Sequence, residues 1–335
     1  MPYTLFQGGR RRRRRRAPAI LAVLLLIAAA AAAVALALQQ RGGDDGGSAE
    51  KAPARERAAG DGRLEPLAGG GTAPAPLAVR LEDGGDPVRA RFKHMPRSGL
   101  LFDADTGRVL WRHKPARVLP IASLTKMMTA LLVADRLGPR ARVPITRQAL
   151  RYRGSGVGLL PRGKRIRTET LLYGLMLPSG NDAAIAIARH LAGSEEQFID
   201  WMNARVQTMG LRNTHFKNPH GLDEDGHYSS AYDMVMLARE GMRDPFFRQL
   251  AAAPDWRATG ALRNYRMENL NRLIGQYPGA DGVKIGYLGP ANRTSVVSAT
   301  RDGHRVYAAV MRSRDLVGDG SALLDYAFES YSWSR

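Results

Sequence analysis

An uncharged run of 22 residues near the amino end constrains this chain more than any other feature. Ala17–Leu38 contains no charged side chain, and Pro18 is the one residue in it that disfavours a helix. At about 1.5 Å per residue, a helix of this length spans a bilayer core of roughly 30 Å. Arg10–Arg16 precede the run directly, and positive flanks stay in the cytoplasm. The sequence therefore predicts a basic cytoplasmic segment over residues 1–16 and a transmembrane signal-anchor over residues 17–38, with the remainder exported.

A cleaved signal peptide is the alternative interpretation of the same run. Ala35-Leu36-Ala37 is similar to a cleavage site, whereas the apolar core of a signal peptide is usually only about 7–15 residues long. Residues 39–86 are dense in Gly, Ala, Asp and Pro and have no sustained period, which is typical of a flexible linker. The folded part is therefore predicted to occupy residues 87–335.

The charge balance of the chain limits its partners. The chain carries 50 Lys and Arg residues against 31 Asp and Glu residues, a net charge of +19 that favours an anionic partner. Aromatic residues are few and are not interleaved with the basic stretches, so a nucleic-acid module is disfavoured. Cysteine is absent from the sequence, which excludes disulfides, thiolate catalysis and cysteine-ligated zinc. The 44% hydrophobic content excludes a chain that is disordered over its whole length.

Strand patterns lie at both ends of the folded part, and helix patterns lie between them. An Asp302-Gly303 turn separates two β-rich runs, which is a strong hairpin signal. Strands are predicted over 99–103, 108–112, 282–288, 294–300 and 305–312. Helices are predicted over 124–135, 183–191, 195–209, 232–240 and 322–331. This order predicts an α+β domain whose antiparallel sheet is assembled from both ends of the chain.

Ser123 and Lys126 form a Ser-x-x-Lys motif at the start of the first predicted helix. Residues three apart share a helix face, so the hydroxyl and the amine can meet. A lysine accepts a serine proton when burial or nearby positive charge lowers its pKa. The amino end of a helix also favours an oxyanion. The motif by itself arises about once by chance in a chain of this length, so a capping serine with a surface lysine stays open as the alternative.

Two further motifs follow along the chain. Ser179-Gly180-Asn181 precedes a predicted helix and is typical either of a capped turn or of a site where Ser179 relays a proton and Asn181 holds a substrate amide. Lys284-Ile285-Gly286 lies on a predicted strand. A lysine there either protects a sheet edge or supplies positive charge, and Gly286 allows a substrate backbone to approach closely.

The three motifs, in this order, resemble the set of the serine D-Ala-D-Ala carboxypeptidases, the low-molecular-mass penicillin-binding proteins. The likeness extends over roughly residues 99–331 and includes Leu119–Met128, Leu171–Ala184 and Asn218–Leu222. The resemblance implies a β-lactamase/transpeptidase-like α+β fold, with a five-stranded antiparallel sheet flanked by helices and a helical subdomain. It also implies a place in the bacterial cell envelope. The chain is expected in the inner membrane with an extracytoplasmic domain, or secreted if the signal is cleaved.

The resemblance also implies the reaction and the residues that perform it. Ser123 is expected to be the acylated nucleophile and Lys126 its general base, with Ser179 and Asn181 beside them. The implied substrate is the pentapeptide stem of peptidoglycan, which loses its terminal D-Ala. β-Lactams are the implied covalent inhibitors, and no cofactor is expected.

Substrate-binding residues are expected on and after the predicted strand at 282–288. Lys284 and Gly286 are expected to line the site, and the backbone N–H groups of Ser123 and Tyr287 to form the oxyanion hole. Arg312 or Arg314 is expected to bind the terminal carboxylate of the substrate. Many members of this family add a carboxy-terminal β domain and an amphipathic anchor, so here the amino-terminal run is expected to be the attachment.

One departure from the family pattern keeps alternatives open. The third motif of the family normally carries Thr where this chain has Ile285, and that hydroxyl usually helps to hold the substrate carboxylate. Losing one such hydrogen bond to a charged group costs about 1.5–3 kcal/mol. The expected consequence is weak activity, a shift of activity toward amide substrates, or no activity at all, in which case the chain would be a non-catalytic peptidoglycan-binding protein. A DD-transpeptidase or endopeptidase that uses the same residues is a further alternative. A β-lactamase is disfavoured because Glu268 does not lie in a dedicated deacylation loop.

A zinc site is the last alternative interpretation of the sequence. His215, His220 and His227 lie close together in the sequence, but they are not at helical ligand spacing and no carboxylate cluster accompanies them. No metal site is therefore predicted.

Overall fold

The computed structural model of the chain describes residues 92–158, 160–258, 264–287, 289 and 293–331. The predicted basic segment, signal-anchor and linker lie outside the described residues, as does the predicted domain boundary at residue 87. Within those described ranges, no helix has both the length and the apolar character that crossing a bilayer requires.

The strands of the described residues form one large sheet and two small ribbons. They are β1 (Ser98–Asp103), β2 (Val109–His113), β3 (Arg142–Pro144), β4 (Arg165–Arg167), β5 (Asp255–Ala258), β6 (Tyr265–Glu268), β7 (Ala280–Tyr287), β8 (Arg293–Arg301) and β9 (His304–Ser313). The large sheet is antiparallel and has the order β2-β1-β9-β8-β7, so the two ends of the domain meet in it. This arrangement confirms the predicted α+β class and the five-stranded antiparallel sheet. It also makes β7 an edge strand.

The helices are α1 (Lys126–Ala134), α2 (Thr168–Met176), α3 (Asn181–Ala192), α4 (Glu195–Thr208), α5 (Ala231–Gly241), α6 (Pro245–Ala252) and α7 (Leu316–Ser330). Short 3-10 turns occupy Ala122–Thr125 and Ala149–Arg151. The predicted helices all occur, although α7 begins six residues before the predicted start at 322 because Asp315 caps it by accepting from the Gly318 N–H. Helices α2 and α6 were not predicted.

Alternation along the strands divides the core into two apolar clusters. Leu100 and Phe102 on β1 belong to an inner cluster with α1 to α6, whereas Leu101 belongs to an outer cluster with α7. Because successive strand residues point to opposite faces, both faces of the sheet are covered by helices. The inner cluster also places α1 against the sheet, which brings the amino end of α1 beside β7 and β8.

Candidate active site

The Ser-x-x-Lys motif lies where the first 3-10 turn continues into α1. Ser123 is on the turn and Lys126 is the first residue of the helix. No serine side chain caps this helix, and Lys126 is fully buried rather than on the surface. Ala122, just before the nucleophile, has φ +50, and a Cβ at Gly221 would lie 1.9 Å from its carbonyl oxygen. Only glycine fits at 221, because the loop there packs directly onto the turn.

The buried amine of Lys126 contacts three oxygen atoms. Its Nζ lies 2.9 Å from Ser123 Oγ, 2.7 Å from Asn181 Oδ1 and 2.6 Å from the carbonyl oxygen of His220. Burial first, and then the positive charge of Lys284, lower the pKa of Lys126 well below its usual value, while Asp182 opposes this shift. The structure therefore provides an amine that loses its proton far more readily than a surface lysine.

The three contacts of Lys126 also determine where its lone pair points when it is neutral. The Asn181 Oδ1 and the His220 carbonyl are acceptors only, so they take the two N–H groups of a neutral amine. The side-chain amide of Asn181 is oriented this way because its Nδ2 donates to the Arg153 carbonyl, 2.6 Å away. The remaining lone pair of Lys126 then faces the Ser123 hydroxyl, which is the geometry that a general base requires.

The second motif lies at the start of α3 and holds a neighbouring loop. Asn181 is the first residue of the helix, and no side chain caps it. Its backbone N–H donates to the Ser155 carbonyl at 2.8 Å. Asp182 is fully buried and accepts from the Val157 N–H at 2.9 Å. The loop before β4 is thus fixed against Asn181, and this role of Asp182 was not predicted from the sequence.

Ser179 lies beside Asn181 in a conformation that non-glycine residues rarely adopt. Its φ is +65 and its side chain is buried. Among the described residues, no atom makes a hydrogen bond to its Oγ. A buried hydroxyl without a partner has full capacity to bind a substrate or to relay a proton.

The third motif brings β7 against the nucleophile. A Cβ built on Gly286 would lie 2.8 Å from Ala122 Cβ and 2.9 Å from the Ser123 backbone nitrogen, so the two backbones touch at this glycine. Thr294, on the adjacent strand, donates to the Ile121 carbonyl at 3.0 Å and ties the sheet to the same turn. Lys284 shares the face of Gly286, and burial lowers its pKa to about 7. Ser123, Lys126 and Lys284 therefore converge on one site.

Ile285 lies on the opposite face of β7 from Lys284 and Gly286. Its side chain is 5% exposed and belongs to the outer apolar cluster, together with Val297 and Leu316. Strand alternation therefore packs the Ile285 side chain behind β7, away from the face that carries Lys284.

The substrate-carboxylate candidates lie near the end of β9. Tyr287, the residue expected to complete the oxyanion hole, ends the neighbouring edge strand β7 and is half-exposed. The guanidinium of Arg293 lies 5.7 Å from the centre of its ring. Arg312 sits at a bulge between β8 and β9 with φ +52, and its Nε is buried with no hydrogen-bond partner in the part of the chain that the structure describes. Arg314 is exposed, and its backbone carbonyl accepts from Arg293. Of the two predicted arginines, Arg312 has the unused buried donor.

A buried histidine fixes the nucleophile turn, and this was also not predicted. His227 Nδ1 accepts from the Lys217 N–H at 3.0 Å, so its proton is on Nε2, which donates to Thr125 Oγ1 at 2.7 Å. Thr125 then donates to the Ala122 carbonyl at 2.8 Å. Burial is the main cause that lowers the pKa of His227 to about 4, so the chain of bonds is intact at neutral pH.

The three histidines considered for zinc serve the loop that packs on this turn. His215 Nδ1 contacts the Gly226 carbonyl, and His220 Nδ1 accepts from the Leu222 N–H. Across the described ranges, no three His, Cys, Asp or Glu side chains are placed together to hold a metal ion. The chemistry that the residues support is nucleophilic: a serine with a buried lysine 2.9 Å from its hydroxyl, whose pKa burial lowers well below the usual value.

Comparisons with known proteins point to the same chemistry. A family model, Peptidase S11, described as D-alanyl-D-alanine carboxypeptidase, matches residues 88–315. The chain is 36% identical over 266 residues to the D-alanyl-D-alanine carboxypeptidase DacF of Bacillus subtilis, covering 77% of this chain and 68% of the relative. It is 33% identical over 249 residues to DacA of Escherichia coli, covering 70% of this chain and 61% of the relative. The solved DD-transpeptidase of Streptomyces K15 is similar with a TM-score of 0.66 and 31% identity, covering 71% of this chain and all of that one.

Proposed function

We propose that this chain, which belongs to the Peptidase S11 family of D-alanyl-D-alanine carboxypeptidases, removes the terminal D-Ala of peptidoglycan stem peptides through an acyl-enzyme on Ser123. One observation carries the proposal. The Lys126 amine is buried 2.9 Å from Ser123 Oγ, and its other two partners are carbonyl oxygens. Since those oxygens only accept, the lone pair of the neutral amine is left for the serine proton.

The proposed reaction has two halves. Ser123 Oγ attacks the carbonyl carbon of the penultimate D-Ala while Lys126 accepts the hydroxyl proton, and the N–H groups of Ser123 and Tyr287 bind the oxyanion. The C–N bond then breaks, and the departing D-Ala amine takes a proton relayed by Ser179 from Lys126. Water hydrolyses the ester in the second half, which restores the serine. Lys284 supplies positive charge, Asn181 binds the substrate amide, and Arg312 binds the terminal carboxylate.

Covalent trapping tests the proposal. Labelled penicillin is expected to add its mass to the tryptic peptide that contains Ser123, and a soluble pentapeptide is expected to release D-Ala. The Ser123→Ala variant is expected to lose both, whereas Ser155→Ala, which changes a nearby serine that contributes only its backbone carbonyl to the site, is expected to keep both. Equal labelling of the wild type and Ser123→Ala would contradict the mechanism.

A DD-transpeptidase is the second candidate, and the similarity to the Streptomyces K15 enzyme favours it. The two activities share the acyl-enzyme and differ in what attacks it, an amine or water. Adding a D-amino acid acceptor to the pentapeptide assay separates them: a transpeptidase converts acyl-enzyme into the exchanged peptide in proportion to the acceptor, whereas a carboxypeptidase releases the tetrapeptide. An endopeptidase is recognised in the same way, by cleavage of a cross-linked dimer.

The non-catalytic alternative depends on Ile285, whose side chain faces away from the site. We expect D-Ala release from the wild type and an unchanged rate in Ile285→Thr. Release that appears only in Ile285→Thr would support the non-catalytic alternative instead.

The proposed location is the bacterial cell envelope, and it rests on the sequence of Arg10–Arg16 and Ala17–Leu38. Fractionation of cells that express the full chain and a variant without residues 17–38 tests it. The full chain is expected with the membranes, and the shortened chain in the cytoplasm. The mature amino terminus, sequenced from the membrane fraction, distinguishes an anchor from a cleaved signal.

A further inference from the structure

A long stretch of the domain carries positive charge without any negative charge. Residues 140–167 contain nine Arg and Lys residues and no Asp or Glu. Six of them lie on or next to the two-stranded ribbon β3–β4, and all six are exposed. These six residues, here called the cationic ribbon, are Arg140, Arg142, Arg162, Lys164, Arg165 and Arg167.

Backbone pairing places these side chains next to one another. Arg142 lies directly opposite Arg167, and Arg165 lies opposite Pro144. The pairing continues beyond the strands, since the Ile145 N–H donates to the Lys164 carbonyl and the Thr168 N–H donates to the Ala141 carbonyl. The five paired positions, from Ala141 opposite Thr168 to Ile145 opposite Lys164, give at about 3.3 Å each a cationic surface roughly 16 Å long.

Like charges directly opposite each other on a ribbon destabilise it. Burial of Val143 and Ile166 fixes the register, so the arginines cannot move apart by a slip of one residue. In the part of the chain that the structure describes, none of the six residues forms an ion pair. The next acidic residue, Glu169, follows the ribbon at the start of α2 and is only partly exposed. Arg165 donates to the Arg142 carbonyl at 2.6 Å, but no carboxylate neutralises the six charges within the described protein.

From this arrangement we propose that the cationic ribbon binds a flexible linear polymer of phosphodiester groups. Guanidinium groups make paired hydrogen bonds to phosphate oxygens, and a row of them matches a chain whose charges repeat. A flexible polyanion can bind along such a row, because each contact between a phosphate and a guanidinium releases a bound counterion and so favours binding.

Two other anionic partners fit the surface less well. A membrane surface favours apolar side chains that insert beside the basic ones, but the large apolar residues exposed in the described residues lie elsewhere: Met95, Val118, Leu270, Tyr287 and Val317. Single-stranded nucleic acid favours aromatic platforms, and Tyr152 is the one aromatic residue between 140 and 167.

The cationic ribbon is connected to the candidate active site through the loop that joins β3 to β4. Arg153 is exposed, and its carbonyl accepts from Asn181 Nδ2 at 2.6 Å. The loop that joins the two strands of the cationic ribbon therefore lies beside Asn181. Binding of the polymer stands on the ribbon alone, whereas its use in bringing the enzyme to the cell wall rests on the proposed function.

The test measures binding of a short fluorescein-labelled linear polyphosphate to the full chain in neutral detergent, at rising NaCl concentration. The test variant is Arg142→Gln/Arg165→Gln/Arg167→Gln. The control variant, Arg117→Gln/Arg212→Gln/Arg272→Gln, removes the same charge from exposed arginines elsewhere. We expect the test variant to bind about tenfold or more weakly, with the slope of log K against log salt smaller by about 2, and the control to change less than about threefold.

Several outcomes would overturn the proposal. One is an equal loss in both variants, which would mean that net charge alone governs binding. Another is binding to phosphatidylglycerol vesicles that the test variant loses while its polyphosphate binding equals that of the wild type, which would assign the ribbon to an anionic membrane surface. The melting temperature of the test variant is expected to equal or exceed that of the wild type, because like-charge repulsion is relieved.

D-Ala release from a soluble pentapeptide serves as the separate readout. We expect it to be unchanged in the test variant, because none of the three arginines lies in the proposed catalytic machinery. Absence of release from the wild type would refute the proposed function and leave the binding result standing. Equal polyphosphate binding by the wild type and the test variant, with normal release from both, would refute the ribbon proposal alone.

Discussion

Replacing Lys284 with methionine is expected to stabilise the protein while abolishing acylation. Burial lowers the pKa of Lys284 from the ordinary 10.5 to about 7, which corresponds to about 5 kcal/mol against the charged form in the folded state. Between these two pH values the unfolded chain holds a proton that the folded chain lacks, so the free energy of unfolding rises with pH. Below about pH 7 the full penalty is present, because both states are protonated there. Methionine has nearly the same shape and no charge, so it removes the penalty.

Urea denaturation at about pH 6 and about pH 9.5 measures this effect. At the lower pH we expect Lys284→Met to be more stable than the wild type by several kcal/mol, with about 5 kcal/mol as the upper limit. At the higher pH the difference is expected to shrink by about 1.4 kcal/mol for each pH unit crossed. Lys93→Met, at an exposed lysine, is the matched control and is expected to change neither stability nor labelling. A wild type whose stability is flat between the two pH values, or a variant with the wild-type slope, would refute the reasoning.

Three further substitutions test the packing and charge around Ser123. Gly286→Ala places a Cβ 2.8 Å from Ala122 Cβ, and overpacking of about 1–3 kcal/mol is expected to slow acylation by penicillin about ten- to a hundredfold. Gly138→Ala is the control, because a Cβ there has no atom within 4 Å. Equal acylation rates in the two variants would contradict the close approach at Gly286. Thr125→Val removes the hydroxyl that links His227 to the Ala122 carbonyl. It is expected to lower the free energy of unfolding, measured with urea, by about 1–3 kcal/mol and to slow acylation. Thr125→Ser keeps the hydroxyl and is expected to restore both the stability and the acylation rate. Asp182→Asn removes the negative charge that raises the pKa of Lys126. The pH below which the acylation rate falls is therefore expected to be lower in this variant. An unchanged pH profile would exclude this electrostatic role of Asp182.

The central sheet was predictable because its strands have clear sequence signals. The Asp302-Gly303 turn fixes the hairpin of β8 and β9, and the alternation of β1 fixes which residues enter each apolar cluster. Helix α2 escaped prediction for the opposite reason. It is buried on nearly every side, so it has no polar face and no 3.6-residue period. Helix α6 carries a start signal, Asp244 followed by Pro245, but its eight residues are too few to give a sustained helical period.

The three motifs of the candidate site were visible because each is contiguous in the sequence. The residues that hold those motifs in place were not visible, since their partners are far away along the chain. Thr125 and His227 are 102 positions apart, and Val157 and Asp182 are 25 apart. A lone His or Asp has many ordinary structural roles, and without a distance nothing in the sequence selects the partner. Tertiary packing alone assigns these contacts.

The exchange of Thr for Ile in the third motif is a packing change across two strands. Ile285 lies directly opposite Ser295, on the outer face of the sheet. Ser295 is fully buried, and its Oγ has no hydrogen-bond partner among the described residues. A threonine at 285 would place a hydroxyl opposite this one, and such cross-strand pairs stabilise sheets. Because strand alternation directs Lys284 and Gly286 toward Ser123, it must direct residue 285 toward Ser295. The isoleucine therefore leaves the positive charge and the close backbone approach of the site intact, and its consequence falls on the unpaired hydroxyl behind β7.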